Sequence, residues 1–266
     1  MNAKCEPTCR AKFSCPLEQN VVEVLAAGRY AQSSSSSVPV PLTMADRHAS
    51  RRRFSPSLSY GRDFAPPLPT ARLAAVMILL ERRPSGWTIP LTLRPTHLPD
   101  HPGQVCLPGG RVEPNEDVCS AAEREFCEEL GFDAFPTRTL GQLQSIYIVN
   151  SDFYLTPSLA VIDRPLDYCP DANEVESIVH LPVEHLLDLD NHILRKHMRG
   201  RVSWTALGIE FEHIRIWGAT AIVLGELAAI LQRIDPSVLT PQQAFLLPAA
   251  NLFHGQFSIG LNSDRS

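Results

Sequence analysis

Residues 110–132 read GRVEPNEDVCSAAEREFCEELGF. Asn115, Glu116 and Asp117 suit the start of a helix: a capping residue, then acids beside the positive end of the helix dipole. Ala121, Ala122, Glu123, Arg124, Glu125 and Glu128 are mostly good helix formers, and Gly131 is placed as the C-terminal stop. On that helix Glu125, Glu128 and Glu129 stand at i, i+3 and i+4 and share one face. Ala122, Phe126 and Leu130 form an adjacent apolar stripe able to pack on a sheet. Three carboxylates on one face repel one another unless a cation sits among them. A hard, oxygen-seeking ion, Mg²⁺ or Mn²⁺, is the natural occupant. Without a cation the same run would be a solvated acidic face, and Arg124 a surface partner of Glu128.

The spacing around those acids narrows the choice. Five residues separate Gly110 from Glu116, and seven more separate Glu116 from Arg124-Glu125. Apolar Phe126, then Glu128-Glu129, Gly131 and apolar Phe132 complete the series. The stretch therefore resembles the box of the Nudix hydrolases, G-x5-E-x7-R-E-U-x-E-E-x-G-U with U apolar. Members of that family split a diphosphate attached to another group. The resemblance implies an α/β/α sandwich with a mixed sheet. It also implies metal ligation by Glu125 and Glu129, and a Glu128 that joins them or acts as base. Arg124 would orient the glutamates.

Residues upstream of the box bear on the substrate. Thr92-Leu93-Arg94, then Gly103, then Leu107-Pro108-Gly109-Gly110 resemble the signature L-L-T-x-R-[SA]-x3-R-x3-G-x3-F-P-G-G of the coenzyme A diphosphatase subfamily. The spacing is intact, while Pro95 stands for Ser/Ala, Pro99 for Arg and Leu107 for Phe. The stretches around His97, His101 and Glu210–Ala221 are also similar to that subfamily. Arg94, Gly103, Gly109 and Gly110 are thus candidate substrate-binding residues. Arg94 reads either as a phosphate partner or as a strand-end surface arginine. Gly109 and Gly110 allow close approach of backbone to metal or phosphate, and equally a tight turn. The loss of an arginine at 99 removes one candidate bidentate phosphate contact. His97, His101 and His213 read as structural. Glu174 and Glu176 sit where a loop could supply a further carboxylate, although a surface position suits them too. The resemblance implies hydrolysis of coenzyme A or acyl-CoA. ADP-ribose, a dinucleotide or an oxidised nucleoside triphosphate are the alternatives, with a non-catalytic nucleotide-binding module behind them.

Composition sets the outer limits. The chain has 266 residues and a net charge of −5. Residues 1–62 carry nine Lys/Arg and four Asp/Glu, so the remainder is strongly acidic. An acidic domain argues against nucleic acid as the ligand and suits an enzyme that meets a polyanion through bound metal. No apolar run reaches a membrane-spanning length of about 18 residues, and no secretory leader or peroxisomal ending is present. A cytoplasmic protein is expected, without a membrane partner, and a homodimer is left open. The seven cysteines read as free thiols of a reducing compartment. Cys5, Cys9 and Cys15 lack the pairing of a zinc site.

Residues 1–65 are expected to be a low-complexity, disordered extension, marked by Ser33–Ser37 and Val38–Pro41. Within it Val21–Ala27 allows a turn or two of helix, Arg51-Arg52-Arg53 reads as a solvated basic tail, and Met44 is a conceivable alternative start. The domain is expected over 66–235, with a tail over 236–266. Its strands are expected at 71–80, 87–94, 140–149, 153–162, 174–181 and 211–217. Helices are expected from Pro182 and, with an amphipathic pattern, over 219–233.

Overall fold

The computed structural model of the chain describes residues 15–27, 43–57, 66–98, 102–234 and 236–239. Its centre is strand β1, Arg72–Arg83, whose sequence LAAVMILL is apolar on both faces. Alternate residues of a strand point to opposite sides, and β1 divides accordingly. Ala74, Val76, Ile78 and Leu80 enter one buried apolar cluster, and Ala75, Met77 and Leu79 enter the other. A strand buried on both faces demands cover on both, which makes the molecule layered.

Strand β2, Gly86–Leu93, returns from β1 through the turn at Pro84-Ser85. Two short strands follow: β3, Val105–Cys106, against β2, and β4, Gly109–Arg111, against β1. After helix α3, Val118–Leu130, come β5, Thr139–Gln142, β6, Ile146–Ile148, and β7, Phe153–Ile162. β7 runs parallel to β1, pairing Arg72 with Phe153 through Glu81 with Ile162. β8, Ser177–Pro182, adds to the other side of β2. The eight strands form one mixed sheet with the path β3-β2-β1-β7-β5. This is the expected α/β architecture with a mixed sheet.

Helix α3 covers one face. Ala121, Ala122, Phe126 and Leu130 are fully buried with Ala75, Met77 and Leu79 of β1. The opposite face is covered by helix α5, Gly218–Leu231, together with two helices from the N-terminal part of the chain. These are α1, Pro16–Ala27, and α2, Met44–Phe54. Within the stretch expected as a disordered extension, these two segments are helical and packed on the core. Leu17, Val21 and Val24 of α1 and Phe54 of α2 belong to the same buried cluster as α5. Arg51 is no basic tail: it is fully buried and its Nε donates to Glu226 of α5 at 2.5 Å. It also donates to the carbonyls of Gln144 and Ser145. Thr43 caps α2 through a reciprocal pair with Asp46, the arrangement that satisfies two orphan donors at once. Cys5, Cys9, Ser33–Ser37 and Val38–Pro41 lie outside the described residues.

Helix α5 is also not amphipathic. Residues Ala221 to Ala228 are all buried, Gly225 and Glu226 included, because α1 and α2 cover the side expected to face solvent. A second, three-stranded antiparallel sheet extends well beyond the strand expected at 211–217. It consists of β9, His192–Arg199, β10, Val202–Phe211, and β11, Ile214–Ile216. The short helix α4, Val183–Leu187, follows β8 as expected. Beyond α5, helix α6, Pro236–Leu239, rests on Trp87, whose Nε1 donates to the Val238 carbonyl at 3.0 Å. No helix among the described residues is long and apolar enough to cross a membrane.

Candidate active site

The site begins where β4 passes beneath α3. Gly109 pairs with Val76 and Gly110 with Ala75, and the Pro108 carbonyl accepts from Met77 N at 2.8 Å. Gly109 has φ +153°, and a Cβ there would lie 2.6 Å from Val76 Cα, so only glycine lets the two strands meet. At Gly110 a Cβ would stand 2.5 Å from Glu125 Cδ. Backbone is thereby brought against the carboxylate of the helix above.

Helix α3 starts two residues later than Asn115-Glu116 suggested. Asp117 is its N-cap, accepting from Ser120 N at 2.9 Å, while Asn115 takes a left-handed turn at φ 69°. That turn frees Glu116 for another task. Its two oxygens accept from Arg124 Nε and Nη2 at 3.0 and 3.1 Å. Arg124 Nη1 also donates to Glu125 Oε1 at 3.1 Å and Glu128 Oε2 at 2.8 Å, and Nη2 to the Arg111 carbonyl at 3.1 Å. One guanidinium therefore ties the loop, the strand and two of the three glutamates together. Its bonds to Glu116 first, then the charge of Glu125 and the bonds to Glu125 and Glu128, raise its pKa further against burial.

The three glutamates are not equivalent, although they were expected on one face. The Glu128 side chain is 58% exposed and turned onto Arg124, Glu125 is 17% exposed, and Glu129 is 4% exposed. Among the described residues, Glu129 Oε2 has no hydrogen-bond partner. Burial, then the charges of Glu125 and Glu174, push its pKa up to about 8. Burial also raises Glu125, with Glu128 and Glu174 adding and Arg124 opposing. Glu174 is thus within electrostatic reach of both, on the loop between β7 and β8. No pattern near it marks it out in the sequence beyond its being a carboxylate on a loop. Among the described residues, no three His, Cys, Asp or Glu side chains stand together in a metal-ligating arrangement. Glu125 and Glu128 are drawn to Arg124 instead.

Arg94 sits at the end of β2. Its N–H donates to the Gln104 carbonyl at 3.0 Å and its carbonyl accepts from Gly103 N at 3.1 Å. Gly103, at φ +66°, supplies the turn that closes this pair. The positive charge of Arg94 acts on both Glu129 and Cys106. Burial pushes the Cys106 thiol up to about 11, with Glu129 adding to the shift. Leu107, in place of phenylalanine, is 3% exposed and part of the core. Pro99 and His101 lie outside the described residues. His97 and His213 are exposed. The described cysteines, Cys15, Cys106, Cys119, Cys127 and Cys169, are all free.

A NUDIX domain model matches residues 71–199. Proteins called "Uncharacterized Nudix hydrolase NudL" from Salmonella paratyphi B and Salmonella newport are 34% identical over 164 residues, which is 59% of this chain and 81% of each relative. The chain belongs to the Nudix hydrolase family. Solved structures similar to this Nudix hydrolase include RenU from M. smegmatis and a MutT protein from Methanosarcina mazei Go1. The first has TM-score 0.45 and 17% identity and covers 62% of this chain and 88% of its own. The second has TM-score 0.41 and 15% identity and covers 63% and 99%. Nudix hydrolases act on diphosphate bonds and generally use divalent ions such as Mg²⁺ or Mn²⁺.

Proposed function

We infer that this Nudix hydrolase cleaves the diphosphate of coenzyme A or an acyl derivative with the help of Mg²⁺ or Mn²⁺, with residues 66–235 as its catalytic unit. Water adds to phosphorus, the diphosphate P–O bond breaks, and adenosine 3′,5′-bisphosphate and (acyl-)4′-phosphopantetheine leave. The observation that carries the metal-dependent reading is Glu129. A carboxylate 4% exposed, with one oxygen unpartnered and two further carboxylates near it, is costly as an anion. A hard divalent cation removes that cost, and oxygen donors are the set it prefers.

Glu125 and Glu129 would hold the ion, with Glu128 as third ligand or as base for the attacking water. Glu174 is an additional carboxylate of the same site. The ion, when bound, neutralises diphosphate oxygens and lowers the pKa of water. The protein's own groups do the rest. Arg124 holds Glu125 and Glu128 at fixed places on α3 through its simultaneous bonds to Glu116 and Arg111. Gly110 keeps a side chain out of the approach to Glu125, and Gly109 lets β4 lie close against β1 beneath it. Arg94 offers a cation at the site edge, where a substrate phosphate would be drawn. The coenzyme A assignment rests on the Thr92–Arg94, Gly103 and Leu107–Gly110 series.

Products formed from coenzyme A with Mg²⁺ or Mn²⁺, identified by mass spectrometry, provide the test. The bisphosphate is expected as product, and Glu125→Gln is expected to lose turnover at least about 100-fold while its circular dichroism is unchanged. Near-wild-type turnover in that variant would remove the assignment of Glu125. Turnover of ADP-ribose or a dinucleotide, with coenzyme A untouched, would replace the substrate.

A further inference from the structure

Away from the site, Glu81 near the end of β1 is fully buried in a polar cluster of its own. Its Oε1 accepts from Leu166 N at 2.8 Å and Arg83 Nη1 at 2.9 Å. Its Oε2 accepts from the Tyr168 hydroxyl at 2.9 Å and stands 3.4 Å from His180 Nδ1. Burial pushes this carboxyl up, but the contact with His180, the bonds from Leu166 and Tyr168 and the charge of Arg83 outweigh it and hold it below its ordinary value. Glu81 lies five positions along β1 from Val76, which pairs with Gly109. At strand rise that is roughly 17 Å, so Glu81 touches nothing bound at the site.

Its contacts nevertheless lead there. Strand β7 ends at Ile162, opposite Glu81, and β8 begins at Ser177, opposite Leu93 beside Arg94. The loop between them must travel back along the sheet to the site end. It is pinned at successive points. Leu166 and Tyr168 are held by Glu81. Cys169 N and Asp171 N donate to the Leu130 and Glu129 carbonyls at 3.0 and 3.1 Å. These are two of the carbonyls that the end of α3 leaves without a helical partner. Then Glu174 N and Val175 N both donate to the Asp171 carbonyl, and Glu176 N donates to the Leu93 carbonyl at 2.8 Å. Glu174 rides on the turn between the last two pins. Tyr168 also packs edge-on against Phe132, which stacks on Phe126 of α3.

We propose that Glu81 is a positioning residue. Its buried carboxylate fixes the entry of the 163–176 loop and so the place of Glu174 opposite Glu125 and Glu129. The inference rests on the carboxylate site described under Proposed function. A side chain that acts through Glu174 has no effect of its own once Glu174 is gone, so the two substitutions must be non-additive. The readout is Mn²⁺ binding to the full chain without substrate, followed by the free-ion signal in electron paramagnetic resonance.

Glu174→Ala is expected to weaken Mn²⁺ binding roughly 10-fold, and Glu81→Ala by a similar factor, in the range seen when outer partners of metal ligands are removed. The double variant is expected to bind no more weakly than the weaker single one. Glu81→Gln keeps an acceptor for Leu166 N and is expected to retain most of the affinity. If Glu81→Ala does not fold, Tyr168→Phe, which deletes one hydroxyl, takes its place in the cycle. Multiplying losses in the double variant would overturn the proposal. So would unchanged binding in the Glu81 and Tyr168 variants alongside weakened binding in Glu174→Ala. Binding indifferent to Glu174→Ala but weakened by Glu125→Gln would overturn it too, while leaving the site intact. Binding indifferent to both would overturn the metal site itself and this proposal with it.

Discussion

Glu129 stands under two opposed demands. As an anion it suits a cation; buried among Glu125 and Glu174 without one, it holds its proton up to about pH 8. In the metal-free protein this has a definite sign. The folded chain keeps that proton where the unfolded chain has lost it, so stability falls as pH rises from 4.5 through about 8. Glu129→Gln removes the titrating group. Thermal unfolding in a chelator is therefore expected to show the variant more stable than wild type at the alkaline end of that window, with the difference vanishing toward the acid end. Turnover is expected to be lost in the same variant, the usual conflict between a strained site and a stable one. A wild-type unfolding temperature independent of pH across the window would contradict this account. The acids of the box were legible as residues because their spacing is short-range. Their unequal burial was not, because it depends on β4 and the 163–176 loop, which arrive from elsewhere in the chain.

Among elements, the pairing of α2 with α5 shows where reading a sequence stops. Arg51-Arg52-Arg53 looks like a solvated tail because nothing within a helix turn of Arg51 can bury it. Its partner Glu226 lies 175 positions away. Both side chains are fully buried, with Arg47 giving Glu226 a second contact at 3.2 Å. A buried charge left wholly unpaired costs about 3–5 kcal/mol; without Arg51, Glu226 keeps only Arg47 of the two arginines, which puts the cost toward the lower end of that range. Arg51→Met is expected to show a loss of that order in urea unfolding, and Arg51→Met with Glu226→Leu to recover most of it. A single variant as stable as wild type would show the pair to be dispensable. Strand β9 was missed for a related reason. Its sequence HILRKHMR has cations among its apolar residues, so no two-residue alternation marks it. By contrast β1, β2 and β7 were plain, since a strand buried on both faces is a continuous apolar run.

For the molecule as a whole, the two N-terminal helices are part of the cover of the sheet. A chain beginning at Met44 would lack α1 and the Thr43 cap of α2. It would lose the buried side chains of Leu17, Val21 and Val24, each contributing about 1.5–3 kcal/mol when fully buried. Such a chain is expected to melt well below the full one in a thermal scan while keeping the carboxylate site, which lies on the other face. Equal melting temperatures would show α1 to be ornamental.

The Arg51–Glu226 pair also bears on the order in which the protein is made. During synthesis α2 leaves the ribosome early, carrying a cation whose counter-charge has yet to be translated. Domains generally fold as units during synthesis, and long-range contacts come late. The surface of α2 that packs on α5 must therefore wait, open, until α5 emerges. Nascent chains stopped before Glu226 should depend on chaperones, and those stopped beyond α5 should not.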